Sequence, residues 1–430
     1  MKMTVNKKQY PIYGDSVVSK QLANGLRVMV VAKPEYYKTY ATLSVEYGSI
    51  DNQFIDPETN QLVTLPAGIA HFLEHKMFDK NGYDAFDLFT KYGSNANAYT
   101  SFTNTNYLFS TTNHVNENLK ILLDFVQEPY FTPEKVEKEK GIIGQEIQMY
   151  DDDPDSRLYF QTIRNLYPHF PLNKDIAGSV DSIQKITAAD LNLAYRVFYQ
   201  PANMVLKVVG NVNPDEVFSF VEENQNQKQF ATPVKIERRF PSQRPYDFER
   251  DHHETMNLAR PKAAVAIKGI QPLASGVAET KQEMAMLLLL ALLFSENSQV
   301  YSELYDSGVL DDSFTFELDC EREYYFAMLL GDTDEPQRFI DSLISVMRTA
   351  VDKIDGLTAD FELIKKEKIG QRVSMMNSLE AIATRLGDKE NHFTNLYDEV
   401  AIIDQMQLSD LKAAAVQLFD LKAVTTNIFD

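Results

Sequence analysis

The first part of the chain alternates between β-branched segments and segments with helical periodicity. Residues 25–31 and 40–47 are rich in alternating or β-branched side chains, which favours strands. The pattern then predicts a helix over 67–77, a short helix over 85–92, and a strand pair over 97–110. Thr132 and Pro133 form a helix start signal. Three further elements follow from the same reasoning: a helix over 119–126, a helix from Thr132 to about Tyr150, and a strand over 204–210.

The chain divides into two related halves. Residues 224–253 are polar and contain three prolines, so we interpret them as a linker between a first domain, 1–223, and a second domain, 254–430. Residues 131–146 align without gaps to residues 357–372, which favours a duplication over a coincidence of helix-forming composition. The expected fold class is α+β, with two homologous domains that each carry a mixed, mainly antiparallel sheet covered by helices.

Composition narrows the class of protein. The net charge of −20 argues against nucleic-acid binding and against binding to an anionic membrane, because phosphates would be repelled. The longest apolar run, Met284 to Phe294, is too short to span a bilayer and predicts a buried helix. A single cysteine, Cys320, fits a reducing compartment, and no secretory signal is visible, so a cytoplasmic location is expected.

The strongest chemical signal is the His-x-x-Glu-His motif of residues 71–75. On a helix, His71 and His75 lie one turn apart on the same face, so both imidazoles can bind one ion. Glu74 projects toward the same point and can accept a proton from a water molecule there. This order of residues is that of the inverted zincins. The alternative is a helix whose histidines are merely packed or solvated.

A catalytic zinc site needs a third protein ligand. Glu146 is the candidate, because it lies among apolar neighbours on the helix opened by Thr132. Glu139 lies two turns earlier on the same face. Taken alone, Glu139 is better interpreted as part of a solvated charged face, because charged residues crowd this region.

These motifs resemble the pitrilysin-type (M16) metallopeptidases, which include insulin-degrading enzyme and mitochondrial processing peptidase. The resemblance is strongest to the YmfH-like and AlbF-like bacterial subunits, and it extends to residues 176–180 and 198–204. It implies one Zn²⁺ per chain, bound by His71, His75 and Glu146. It also implies catalytic roles for Glu74 and Glu139, and a fold that forms half of a clamshell.

The same resemblance assigns substrate-binding residues. Asn97 and Ala98 match a family strand whose exposed edge accepts the substrate peptide, although a turn built from Gly and Asn is the alternative. In active relatives, an Arg and a Tyr seven residues later hold the substrate carbonyl. We assign Tyr305 and Asp312 to those positions, and a register shifted by one residue gives Leu304 and Asp311, which fits no better. We therefore expect an M16-like partner chain to supply this pair, which favours a heterodimer over a homodimer.

Two functions remain open at this stage. The first is a zinc-dependent endopeptidase subunit that hydrolyses peptides or processes precursor and leader peptides. The second is a catalytically inert core subunit of an M16-like assembly. Retention of His71, Glu74, His75 and Glu146 favours the enzyme, because an inert subunit could lose any of them freely.

Overall fold

The computed structural model describes residues 5–387 and 394–430. Within these ranges, strands and helices alternate along most of the chain. The strands are β1 (Val5–Tyr10), β2 (Asp15–Gln21), β3 (Arg27–Ala32), β4 (Thr39–Val45), β5 (Gln53–Ile55), β6 (Leu62–Thr64), β7 (Asn95–Thr100), β8 (Thr105–Thr111), β9 (Met204–Gly210), β10 (Glu237–Arg238), β11 (Asp251–Glu254), β12 (Lys262–Lys268), β13 (Thr315–Glu321), β14 (Tyr324–Asp332) and β15 (Val424–Phe429). The helices are α1 (Ile69–Phe78), α2 (Ala85–Lys91), α3 (Val115–Val126), α4 (Pro133–Asp151), α5 (Pro154–Leu166), α6 (Val180–Ile183), α7 (Ala188–Phe198), α8 (Pro214–Asn226), α9 (Val277–Phe294), α10 (Gln299–Asp306), α11 (Pro336–Lys353), α12 (Thr358–Met375), α13 (Leu379–Thr384), α14 (Leu396–Gln405) and α15 (Leu408–Leu418).

The larger sheet has the strand order β1-β2-β3-β9-β4-β8-β7. Its pairs are antiparallel except for β3 and β9, which run parallel. The central strands β4 and β9 are buried along their whole length. Side chains from one face of this sheet form a core with α1 and α3, to which Phe72, Leu73 and Leu122 contribute. Within the ranges 5–387 and 394–430, β7 is an edge strand, because it pairs there with β8 alone.

The second sheet repeats this design on a smaller scale. Its order is β11-β15-β12-β14-β13, with β11 and β15 parallel and the other pairs antiparallel. The apolar helix α9 packs in its core, which confirms the prediction that residues 284–294 form a buried helix. No helix among the described residues is long and apolar enough to cross a membrane. A third, small sheet among the described residues has the order β10-β5-β6. The expected α+β class, with two main sheets covered by helices, is confirmed.

The chain forms two compact packing units, and each unit combines three separate stretches of the sequence. One unit comprises Met1–Met149, Lys174–Phe240 and Ser378–Leu386, and the other comprises Tyr150–Asn173, Pro241–Asn377 and Gly387–Asp430. The short helix α13 therefore packs on β4 and β9 of the larger sheet, and α5 packs on β12 and β15 of the smaller one. Each sheet is thus covered in part by a helix from the other half of the sequence. The domain boundaries at residues 223 and 254 remain a prediction. They separate the two similar halves of the sequence, whereas the packing units are defined by contacts within the folded chain.

Most local predictions agree with the observed elements. The strand predicted over residues 204–210 is β9, and the helix predicted from Thr132 is α4. Thr187 and Asp190 form a reciprocal capping box at the start of α7. The segment predicted as a linker contains the end of α8, the strand β10 and the beginning of β11.

Candidate metal centre

The helix that carries the histidine motif is fixed at its N-terminus by a close backbone contact. Gly68 precedes α1 with φ of 87°, a conformation that favours glycine. A Cβ atom at Gly68 would lie 2.3 Å from the carbonyl oxygen of Ala177, and one at Gly178 would lie 2.6 Å from that of Ala67. The hydroxyl of Ser182 also donates to the carbonyl of Ala67 at 2.8 Å. The chain before α1 therefore packs directly on the segment before α6.

The helices α1 and α4 bring the three predicted metal ligands together. Nε2 of His71 lies 3.6 Å from one oxygen of Glu146, and Nε2 of His75 lies 3.6 Å from the other. One ligand atom from each of the three residues lies within 4.8 Å of the other two. Among the described residues, no other group of three or more His, Cys, Asp or Glu side chains meets this criterion.

This arrangement fits a zinc ion. A separation of 3.6 Å is longer than a normal hydrogen bond, so the three groups converge without satisfying one another. With Zn–N and Zn–O bonds of about 2.0–2.1 Å, tetrahedral ligand atoms would be about 3.3–3.4 Å apart. Burial, followed by the charge of nearby His75, lowers the pKa of His71 to about 3. Its imidazole is therefore neutral near pH 7 and retains a lone pair for a metal.

Glu139 lies against the far side of the His75 ring. Its Oε1 is 3.1 Å from Nδ1 of His75, and its Oε2 accepts from Nζ of Lys76 at 3.0 Å. Burial alone would raise the pKa of Glu139, but the hydrogen bonds from His75 and Lys76 lower it. An ionised carboxylate only accepts hydrogen bonds, so Nδ1 of His75 carries the proton and Nε2 carries the lone pair.

The two histidines differ in whether a side chain forms a hydrogen bond with their Nδ1 atom. Nδ1 of His71 is buried and has no hydrogen-bond partner among residues 5–387 and 394–430. Burial alone would lower the pKa of His75, but the hydrogen bond with Glu139 and the nearby carboxylates raise it. His75 is therefore the histidine whose orientation is fixed by a neighbouring side chain.

Glu74 is held beside the ligands by the edge strand. The hydroxyl of Thr100, the last residue of β7, donates to Oε2 of Glu74 at 2.7 Å. The side chain of Glu74 is buried, and this burial raises its pKa, whereas the bond from Thr100 opposes the shift. A carboxylate whose pKa is raised is a stronger base than an exposed one, which suits Glu74 to accept a proton.

The predicted substrate-binding residues lie on β7. Asn97 is exposed, and Ala98 is half-buried with its methyl group packed against the larger core. The backbone of β7 pairs with β8 on one side only, which leaves the other side as a sheet edge. Since Thr100 ends this strand, the edge leads directly to Glu74.

The second half has different chemistry at the corresponding position. Arg372 aligns with Glu146, and its Nε donates to Oε2 of Glu399 at 2.6 Å within the smaller core. The hydroxyl of Tyr305 donates to Asp312 at 3.2 Å, and Tyr305 is exposed. In the segment where relatives carry the Arg and Tyr that hold the substrate carbonyl, the hydroxyl of Tyr305 is therefore bonded to Asp312 of the same segment.

Two contacts of the site were not predicted from the sequence. The first is Lys76, whose signal is a lone lysine in a helix that otherwise predicts burial. The second is Thr100, which belongs to the predicted substrate strand but was given no contact with Glu74. Each contact joins segments that are distant in the chain, so local periodicity could not reveal the partner.

Two family descriptions match this chain. Residues 27–179 match the family described as Insulinase (Peptidase family M16), and residues 185–367 match the one described as Peptidase M16 inactive domain. The uncharacterized zinc protease YmfH of Bacillus subtilis is 42% identical over 405 residues, covering 94% of each chain. The chain belongs to peptidase family M16. This membership confirms the family inferred from the motifs of residues 71–75 and 137–146.

Other M16 relatives agree with this assignment. The putative zinc protease AlbF of Bacillus subtilis is 30% identical over 194 residues, which covers 45% of each chain. The crystal structure of a putative M16-like peptidase from Alicyclobacillus acidocaldarius has a TM-score of 0.89 and 31% identity, covering 100% of this chain and 98% of that one. A Helicobacter pylori protease has a TM-score of 0.80 at 22% identity, which shows the shared fold. The M16 protein described here is therefore similar to zinc proteases along most of its length.

Proposed function

We propose that this chain is the zinc-bearing subunit of a metalloendopeptidase that hydrolyses peptides or processes precursor and leader peptides. The observation that carries the proposal is the convergence of His71, His75 and Glu146, with Glu74 beside them. Two imidazoles and one carboxylate form the donor set of a catalytic rather than a structural zinc site, because structural sites usually have four Cys or His ligands.

His71, His75 and Glu146 would hold the ion. Bound zinc supplies Lewis acidity, which polarises a carbonyl and lowers the pKa of a water molecule to about 7. Glu74 accepts the proton of the attacking water at its carboxylate and passes it to the leaving amine. Thr100 holds one oxygen of Glu74, so the other oxygen remains available for this transfer. Glu139 fixes the ring of His75 through Nδ1.

The substrate would bind as an added strand along β7. Main-chain hydrogen bonds to the free edge at Asn97 and Ala98 would provide affinity without strict sequence requirements. Because β7 ends at Thr100, a peptide on this edge would pass close to Glu74. This geometry supports an endopeptidase, since an extended strand has chain on both sides of the cleaved bond.

The metal assignment can be tested by measuring zinc in purified variants. We expect about one zinc per wild-type chain and loss of zinc in His71→Ala and Glu146→Gln, since each removes one of only three protein ligands. Glu137→Gln is a matched control, because Glu137 lies on the same helix, is exposed and pairs with Lys140. Equal zinc in the wild type and in both ligand variants would disprove the assignment.

We further propose that a partner chain completes the active site. In both registers, the segment around Tyr305 has neither the Arg nor the Tyr that hold the substrate carbonyl in active relatives: the positions fall on Tyr305 and Asp312, or on Leu304 and Asp311. Positioning of this kind accounts for several kcal/mol of barrier lowering in oriented reactions. The zinc-loaded chain alone should therefore be nearly inactive, and mixing it with an M16-like chain that carries the Arg and Tyr should restore hydrolysis. Full activity of this chain alone toward unstructured peptides would contradict the requirement for a partner.

An inert core subunit is the second candidate. It is favoured by the match of residues 185–367 to a family described as an inactive domain. It predicts that the zinc-loaded chain hydrolyses no peptide with any M16-like partner. The same mixing experiment therefore separates the two functions.

A further inference from the structure

We propose that Lys76 is a positioning residue of the metal site, which acts on His75 through Glu139. This inference rests on the proposed zinc-binding function. The ammonium of Lys76 would hold one carboxylate oxygen of Glu139, so that the other oxygen faces Nδ1 of His75 in a fixed direction.

The geometry of Glu139 supports this role. Its two oxygens bind different groups: Oε1 is 3.1 Å from Nδ1 of His75, and Oε2 is 3.0 Å from Nζ of Lys76. A carboxylate held at one oxygen can turn about its last side-chain bond, whereas one held at both oxygens cannot. The plane of the Glu139 carboxylate is therefore fixed, and with it the direction of the hydrogen bond to His75.

Lys76 is itself held in place. Its ammonium donates to Oδ2 of Asp79 at 2.8 Å, and Asp79 also pairs with Lys135. Charges thus alternate from Lys135 through Asp79 and Lys76 to Glu139. Because Lys76 lies on α1 and Glu139 on α4, the pair links the two helices that carry the three proposed ligands.

Folding alone does not require a lysine here. Lys76 is 1% exposed, and nine of the ten residues of α1 are buried. A buried ion pair contributes little net stability compared with apolar residues of similar volume, because both charges must leave water. An apolar side chain would fill this position as well. The specific consequence of the lysine is the fixed charge beside Glu139.

The test measures zinc affinity by competition with a chromophoric chelator, in a double-mutant cycle. Lys76→Met should weaken zinc binding by about ten-fold, the lower end of the range for residues that orient a ligand. In Glu139→Gln, the amide oxygen can still accept from His75, but the amide nitrogen then faces the Lys76 ammonium, donor against donor. Adding Lys76→Met to Glu139→Gln should therefore leave zinc affinity unchanged or improve it.

A role of Lys76 in packing alone would give a different result. It predicts that Lys76→Met weakens zinc binding equally in both backgrounds, which would overturn the inference. Lys138→Met is the matched control, because Lys138 is an exposed lysine next to Glu139 on α4 and lies outside the chain of charges from Lys135 to Glu139. Its affinity should stay within about two-fold of the wild type, as expected for a site without direct coupling.

Three further outcomes are decisive. If Lys76→Met alone fails to fold, the comparison of Glu139→Gln with the double variant still decides the question, since neither leaves Glu139 charged. A double variant that binds zinc ten-fold more weakly than Glu139→Gln would overturn the role of Lys76. A wild-type chain that binds no zinc would overturn the proposed function and this inference together, whereas unchanged affinity in folded Lys76→Met would overturn the inference alone.

Discussion

Removing Arg372 tests how the second half of the chain differs from the first. Arg372 stands where the first half has Glu146, and it forms an ion pair of 2.6 Å with Glu399. The two side chains are only 8% and 9% exposed. The guanidinium also lies 3.9 Å from Sδ of Met284 on α9, so the pair is enclosed by apolar neighbours.

The expected magnitude follows from this burial. Arg372→Leu leaves the carboxylate of Glu399 in the core without its guanidinium, which should lower the free energy of unfolding by about 3–5 kcal/mol. Replacing both residues by leucine removes both charges, so the double variant should lie within about 1 kcal/mol of the wild type. The single change should therefore be more destabilising than the double one.

Urea unfolding followed by far-UV circular dichroism measures the difference. Far-UV detection suits this chain because it contains no tryptophan. Zinc content serves as the internal control and should be equal in all three proteins, since Arg372 lies outside the proposed metal site. A single variant that loses less than about 1 kcal/mol, or a double variant as unstable as the single one, would refute the reasoning.

Three further predictions concern the proposed base Glu74, the buried acid Asp319, and the helices α5 and α13, each of which packs on the sheet of the other half of the sequence. Glu74→Gln should keep zinc but lose peptide hydrolysis, because an amide cannot accept the water proton; turnover of the zinc-loaded variant measures this. Burial, followed by the charge of Glu321, raises the pKa of Asp319 to about 7, so the folded state binds this proton more tightly than the unfolded state. The contribution of Asp319 to stability should therefore fall as pH rises from about 4 to about 7, so the difference in stability between the wild type and Asp319→Asn should change across this range in urea titrations, to the disadvantage of the wild type at the higher pH. A fragment of residues 1–223 lacks α13 and leaves α5 without β12 and β15, so its amides should exchange with solvent much faster than in the full chain.

The local sequence pattern was sufficient to predict elements that depend on residues close together in the chain. The strand β9 was predicted with its observed bounds because residues 204–210 are apolar and largely β-branched apart from Lys207. The capping box at Thr187 likewise carries its whole signal in the local sequence, because it depends on two residues three positions apart. The helix α5 was not predicted, although Asp153 caps it by accepting from the backbone of Ser156. Its apolar face packs on strands from the other half, so the reason for its burial lies far away in the sequence.

In the candidate site too, some features could be predicted from the local sequence and others depend on tertiary packing. The spacing of His71, Glu74 and His75 places all three on one helix, and this was readable from the sequence. Glu146 was a candidate because of its apolar neighbours on the helix opened by Thr132, the family resemblance agreed with it, and the structure brings its carboxylate to 3.6 Å from both histidines. The contacts of Lys76 with Glu139 and of Thr100 with Glu74 depend on tertiary packing. The sequence therefore indicated the proposed ligands and Glu139, but not the contacts of Lys76 and Thr100.

The two halves differ at one aligned position. In the second half this position holds Arg372, whose partner Glu399 is a buried carboxylate. In the first half it holds Glu146, which faces the two imidazoles of His71 and His75. Because burial lowers the pKa of His71, its ring keeps a lone pair, and the ligand atoms of the three residues converge on one point, as the binding of a divalent cation requires. The second half also has no His-x-x-Glu-His motif, so the exchange of Glu146 for Arg372 goes together with the absence of both histidines, and the aligned helix α12 carries a buried ion pair where α4 carries a proposed metal ligand.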